Sequence, residues 1–246
     1  MLLEPDEPHP VFEFNRQGLS PFVIIVDHAS RLIPRKLGDL GLPAEELRRH
    51  VAWDIGALAV AWQVAQQLDA PLLAQNYSRL VIDCNRPLTS PTSIPLVSEY
   101  HPIPGNQGLS REQIAERQDE IFLPYHRHLS ALLDQRQDPI LIALHSMTDL
   151  FKGSRRAMHA AVMYNRDPSF AHRLRDALRL EADLVVADNE PYRVSDETDY
   201  AIPVHGEGRG LLHVGIEIRQ DLITEPKGQA AWAKRIATSC LQAARS

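Results

Sequence analysis

The chain has 246 residues, enough for one large α/β domain, and its 44% hydrophobic and 24% charged residues are those of an ordinary globular protein. A net charge of -6 argues against nucleic acid or an anionic membrane surface as a partner, and no apolar stretch approaches membrane-spanning length. Two cysteines, Cys84 and Cys240, make neither a disulfide scaffold nor a thiolate metal site, and the acidic N-terminus lacks the apolar run of a signal peptide, so a reducing cytoplasm is the expected compartment.

In chain order, Phe22-Val23-Ile24-Ile25-Val26 opens a strand over 22–27 that delivers His28. Residues 51–69 keep a helical period through Val51, Ile55, Leu58, Trp62, Ala65 and Leu68. Residues 71–74 and 79–82 read as short strands, and residues 84–108, rich in Pro, Ser, Thr and Gly, as a long loop of the kind that carries function. Ser110-Arg111-Glu112-Gln113 is a capping box opening a helix to about Arg136. Ile140-Leu141-Ile142-Ala143-Leu144 is a second apolar strand, ended by His145. Strands follow at 159–164 and 184–187 around a helix at 168–180, then a polar loop over 188–210. The strand 213–218 carries Glu217, and a last helix spans about 228–244. Alternation of strands and helices predicts an α/β fold, a mostly parallel sheet with helices on both faces, in a single domain over 1–246 with its core at about 20–244.

In such sheets ligands bind at the carboxyl ends of the strands, where three strands here bring two imidazoles and a carboxylate. One strand-end histidine reads as a core-edge residue bonded to a carbonyl; two of them beside acidic residues point to a hydrolytic zinc site. The third ligand is ranked Asp54 first, then His50, four residues earlier on the same helix face, then Asp27, whose side chain should leave the strand on the face opposite His28. Glu217 sits inside an apolar strand, which is costly unless it is used, and burial would raise its pKa toward that of a general base; an ion pair with Arg219 is the plain alternative. Arg79, Asp83, Asn85 and Arg86 look like a carboxylate reader, with Asp83 orienting either arginine, although a regular strand would put Arg79 and Arg86 on opposite faces. Tyr192, on the second loop, is a candidate hydrogen-bond donor to substrate, and Arg156 and His205 are further candidates. Ser30 and Ser146 adjoin the histidines, but no nucleophile-elbow pattern supports a serine hydrolase.

Taken in order, Asp27-His28-Ala29-Ser30 with Ile33-Pro34, Trp53-Asp54-Ile55-Gly56-Ala57, Ser78-Arg79-Leu80 through Asn85-Arg86, His145-Ser146 and Glu217-Ile218-Arg219-Gln220-Asp221 resemble the N-formylglutamate amidohydrolase family over about residues 20 to 240. That resemblance implies a three-layer α/β/α, zinc-carboxypeptidase-like (phosphorylase/hydrolase-like) fold, one zinc per chain, and hydrolysis of an N-acyl amino acid such as N-formyl-L-glutamate in histidine degradation. By the same resemblance His28 and His145 are zinc ligands, Asn85 and Arg86 hold the substrate carboxylate, and Glu217 is the general base. Carboxypeptidase relatives carry a Glu ligand three residues after the first His; here Arg31 stands there, so the carboxylate role moves to Asp54. Arg79 is expected to stabilise the oxyanion and Arg156 to meet a second substrate carboxylate. The partner expected is this small-molecule substrate; a homo-oligomer is compatible with the sequence. Two other readings stand beside it: the same chemistry on another N-acyl amino acid or a cell-wall amide, and a metal-free binder of small carboxylates.

Overall fold

The computed structural model describes residues 1–245. A seven-stranded sheet forms its middle layer: β1 (Val11–Phe14), β2 (Phe22–Val26), β3 (Leu72–Gln75), β4 (Ile140–Met147), β5 (Ala160–Met163), β6 (Val186–Asp188) and β7 (His213–Arg219). Their spatial order is β1-β3-β2-β4-β7-β5-β6. The four central strands β3, β2, β4 and β7 run parallel, whereas β1 is antiparallel to β3 and β5 to β7. Every residue of β2 and β4 is buried, as expected of parallel strands covered on both faces.

Helices α1 (Ala57–Leu68), α4 (Ser169–Leu178) and α5 (Pro226–Ala243) cover one face and α2 (Arg111–Arg117) with α3 (Leu123–Asp134) the other, each layer sealing its own apolar cluster. In α1 the buried Ala57, Val60, Ala61, Val64, Ala65 and Leu68 recur at three- and four-residue steps, so one stripe meets the sheet. The Ser110–Gln113 capping box forms as read from the sequence. A π-helical stretch, Gln118–Phe122, joins α2 to α3. Among the described residues no helix is long and apolar enough to cross a membrane.

Three local expectations are corrected. The helix read over 51–69 begins at Ala57; Gly56 before it has φ +80°, and a Cβ there would lie 2.3 Å from the Ile223 carbonyl oxygen. His50 and Asp54 therefore share no helix face. Residues 79–82 form turns and no strand, because the buried Arg117 and Asn106 bond the carbonyls of Val81 (2.9 Å) and Leu80 (2.9 Å) that a ladder would have used. Val186–Asp188 starts two residues later than its predicted strand.

Candidate metal centre and substrate cavity

Parallel β2 and β4 end side by side, so the chain leaving β2 carries His28 next to His145 of β4, with ring centroids 5.1 Å apart. Asp54 joins them from the loop before α1. Its backbone N–H donates to the His28 carbonyl (2.9 Å), and the Ser146 N–H donates to its Oδ2 (3.3 Å). Nδ1 of His145 lies 2.9 Å and Nδ1 of His28 3.4 Å from Asp54 Oδ2. The ligand atoms of these three buried side chains all lie within 4.8 Å of one another.

The far nitrogens of both rings face carboxylates. His28 Nε2 lies 2.7 Å from Asp83 Oδ1, and His145 Nε2 lies 3.6 Å from Asp27 Oδ2, within ion-pair range and short of a hydrogen bond. Tyr125 Oη donates to the other Asp27 oxygen (2.7 Å). Two imidazole nitrogens and one carboxylate oxygen, each imidazole backed by an acid, form the donor set that catalytic zinc takes, and the residues present fit such an ion.

The charges of this cluster depend on one another. Burial works against ionised Asp54, but His28 and His145 outweigh it and hold the carboxyl below its ordinary range. Burial likewise opposes charge on His145, yet its hydrogen bond to Asp54 and the nearby acids raise it to about 9. For His28, burial and Arg79 favour the neutral ring, Asp83 and Asp54 the charged one, and the acids prevail. Asp83 is held well below the usual carboxylate range by Arg79 and His28 despite burial.

Glu217 of β7 lies opposite His145 in the strand register. Burial pushes its carboxyl up to about 7, with His145 as the main opposing influence. Its Oε2 is buried and makes no hydrogen bond. The alternative pairing with Arg219 does not form: Arg219 bonds Asp221 (2.7 Å) and the backbone carbonyls of residues 156–158.

A cavity of about 650 Å³ opens over this edge of the sheet, within the range of small-molecule sites. His28, Asp54, His145 and Glu217 line it, together with Arg79, Asn85, Arg86 and Tyr192.

The N-formylglutamate amidohydrolase family model matches residues 20–224. The chain belongs to the N-formylglutamate amidohydrolase family. A gene product of Agrobacterium tumefaciens of known structure is 34% identical, with a TM-score of 0.96 over 100% of this chain and 98% of that one. An N-formylglutamate amidohydrolase from Ralstonia eutropha shares the fold at 21% identity, with a TM-score of 0.70 over 97% of this chain and 98% of its own. No curated protein matches. As a family member the chain is an amidohydrolase with the α/β fold expected of it.

Asp54 stands with the two histidines; His50 faces Glu99 instead (3.4 Å), and Asp27 stands behind His145. Because 79–82 is not a strand, Arg79 and Arg86 both turn to Asp83, at 2.7 and 3.9 Å, and the objection from strand alternation falls. Arg79 also reaches within 3.6 Å of Asp54. Asn85 lines the cavity but is committed to the second loop: its Oδ1 accepts from the N–H groups of Tyr200 (3.1 Å) and Ala201 (3.0 Å), and its Nδ2 donates to Asp199 (3.1 Å). Arg156 is not part of the cavity lining; it sits behind Tyr192, donating to its hydroxyl (2.5 Å) with the guanidinium 4.9 Å from the ring centre. His205 is buried against His126 (3.0 Å), away from the cavity lining. Ser146 Oγ donates to the Ile55 carbonyl (2.8 Å), a structural bond.

Sequence reasoning assigned no role to Arg117. Its burial and lack of an acidic partner give it a lowered pKa of about 10, and it holds the 79–86 turn from below. A single Arg inside a capped helix carries no sequence signal for this task. The sequence points to Asp83 as orienting the arginines; that it also faces His28 is not legible there, since 55 residues separate them.

Proposed function

We propose that this amidohydrolase is zinc-dependent and cleaves an N-acyl amino acid, with His28, Asp54 and His145 holding the ion. Such an ion, when bound, polarises the scissile carbonyl and acidifies a water molecule. The observation that carries the reading is Glu217: a buried carboxyl raised to about 7, with a bare oxygen, beside the three donors. At neutral pH such a group divides between its two forms, so it takes a proton from water and returns it to the leaving nitrogen with little driving force lost either way.

Arg79 carries the positive charge nearest the developing oxyanion, held in place by Asp83 and drawn toward Asp54. Among the described residues the Arg86 guanidinium makes no hydrogen bond and only approaches Asp83 (3.9 Å), and it supplies the fork for the substrate α-carboxylate. Asn85 adds the second N–H of its amide and ties the turn to the 199–201 backbone. Tyr192 closes the cavity from the second loop, and Arg156 acts by positioning it. The substrate that names the family, N-formyl-L-glutamate, is the first compound to assay.

The test is metal analysis with formate release from N-formyl-L-glutamate and related N-formyl amino acids, before and after chelation, for wild type and Glu217→Gln. We expect about one zinc per chain, chelator-sensitive turnover, and a drop of roughly 10²- to 10⁴-fold in kcat for Glu217→Gln with zinc retained. Unchanged turnover after complete zinc removal would overturn the metal assignment. Binding of N-formyl amino acids without any turnover would favour a metal-free carboxylate binder.

A further inference from the structure

Three segments that line the cavity are joined through their side chains. The loop over 84–108 carries a short hairpin, Val97–Ser98 paired with His101–Pro102, and the loop over 188–210 carries Tyr192. Another hairpin, Leu150–Phe151 paired with Ser154–Arg155, contributes Phe151. An alternation of rings and cations links the three. Lys152 Nζ lies 5.8 Å from the ring centre of Tyr100 and 5.4 Å from that of Phe151. The Arg156 guanidinium carbon lies 5.2 Å from the Phe151 ring centre and 4.9 Å from that of Tyr192. Each distance is within cation–π range.

The outer members of this ladder are tied down. Glu99, next to Tyr100, accepts from Arg49 (2.6 Å) and faces His50 (3.4 Å). Tyr192 takes an N–H of the buried Arg156, which also donates to the Thr148 carbonyl (3.2 Å) and whose own carbonyl accepts from Arg219 (3.2 Å). The 150–155 hairpin differs. Among the described residues its hydrogen bonds and ion pairs stay within 148–156, as in Leu150 N–H to Thr148 Oγ1 (3.4 Å) and Arg155 to Asp149 (3.5 Å). A backbone bond from the Arg156 N–H to the Asp149 carbonyl (2.9 Å) closes its base. Its tip, Lys152-Gly153, is left-handed at φ +49° and +79°, and beyond the chain neighbours nothing stands within 4 Å of a Cβ placed on Gly153. The ring–cation contacts are therefore its electrostatic ties to the two loops.

We propose that Leu150–Arg155 is a flap over the cavity, hinged at Asp149 and Arg156, which opens to admit the N-acyl amino acid and closes by completing the ladder. The flap rests on the amidohydrolase reading for what passes beneath it. Because its hydrogen bonds stay inside 148–156, the hairpin swings as a unit and breaks none of them. What opening does break are contacts of Lys152 with Tyr100 and of Phe151 with Arg156, cation–π ties that at an exposed rim part and re-form readily. Closing sets Phe151 against the same guanidinium that holds Tyr192, so the position of the flap and the position of Tyr192 are coupled through Arg156. A closed flap also excludes water from the cavity, which strengthens the electrostatic work of Glu217 and Arg79.

The experiment tethers the flap. In the double variant Tyr100→Cys/Lys152→Cys the two sites are joined by a short bis-maleimide with a reducible link; the native Cys84 and Cys240 are buried and do not compete. We expect the joined, zinc-loaded protein to lose about tenfold or more in formate release from N-formyl-L-glutamate and to recover it when a phosphine cuts the link. The same variant carrying N-ethylmaleimide at both sites should keep its turnover. Full turnover with the link in place, verified by mass spectrometry, overturns the flap and leaves the amidohydrolase reading intact. A second readout needs no substrate. We expect Phe151→Leu to speed amide hydrogen exchange over 149–155 by about fivefold or more while exchange in β4 stays as in wild type. Exchange over 149–155 that the substitution leaves unmoved overturns the flap. Faster exchange confined to 149–155, with no formate release from wild type, supports the flap and overturns the assigned reaction.

Discussion

Asp83 connects the parts of the site. One of its oxygens faces His28 Nε2 and takes the Asn85 backbone N–H; the other takes two N–H groups of Arg79. As an ionised acceptor it fixes the proton of His28 on Nε2 and leaves the Nδ1 lone pair facing Asp54, the tautomer a metal requires. Replacing Asp83 by Asn removes the charge and lets the amide offer N–H groups to two donors. We expect Asp83→Asn to weaken zinc binding about 10- to 100-fold, measured by competition with a chromophoric chelator. Unchanged affinity would show that His28 is oriented by Asp54 alone. Asp27 faces His145 Nε2 at 3.6 Å, outside hydrogen-bond reach, with Tyr125 donating to its other oxygen.

At the scale of elements, α3 and the second loop are joined by two histidines whose protons are dictated by one carbonyl. His126 Nε2 lies 2.9 Å from the Cys84 carbonyl, which only accepts, so this nitrogen carries the proton. Its Nδ1 then accepts from His205 Nε2–H at 3.0 Å, and His205 Nδ1 is left bare and buried without a partner. The rings stack, 5.1 Å apart and 11° from parallel, among Phe122, Tyr125 and Tyr200. Burial, with the neighbouring His205, lowers His126 to about 3, and burial, with Arg209, lowers His205 to about 4. The unfolded chain takes up these protons near pH 6.5 and the folded chain only well below it, so the contribution is complete above 6.5 and is lost as pH falls toward 4. Each histidine adds a slope of up to about 1.4 kcal/mol per pH unit in that window. Urea unfolding at pH 7.5 and 5 should show the loss, and a His126→Gln/His205→Gln double variant should lose this part of the slope. A wild-type stability flat across that window would refute the neutral pair.

These same elements show what was legible and what was not. The apolar runs that lead to His28, His145 and Glu217 announce themselves because parallel strands buried on both faces must be apolar throughout, so a polar residue at the end of such a run stands out. The 79–86 segment misled, because Leu80-Val81-Ile82 has the composition of a strand while its carbonyls belong to Arg117 and Asn106. Helix α1 began late for a comparable reason: Val51 and Ile55 continue its apolar period, but Gly56 in a left-handed conformation turns the chain so that Asp54 faces β2 and β4.

For the molecule as a whole, two apolar clusters on opposite faces of the sheet are complete without the candidate metal centre, which lies at the carboxyl ends of the central strands. Chelation should therefore abolish turnover while the far-ultraviolet circular dichroism stays unchanged. Zinc added back should raise Tm progressively with its concentration, as any ligand of the native state does, and should leave the Tm of His145→Ala nearly unmoved. Loss of secondary structure on chelation would mean that the ion is part of the fold.

The sequence by itself determined the layered α/β architecture, the sheet edge where chemistry collects and the residues His28, His145 and Glu217, because hydrophobic periodicity and the location of polar residues at strand ends are local properties. Only the tertiary structure decided that Asp54 joins the histidines while His50 turns to Glu99, that Arg156 stands behind Tyr192, and that Asp83 serves His28 and two arginines at once. Each of these depends on which segments meet across the sheet and on which carbonyls and carboxylates compete for the same donors, and such competition is settled by distance in space, which spacing along the chain does not encode.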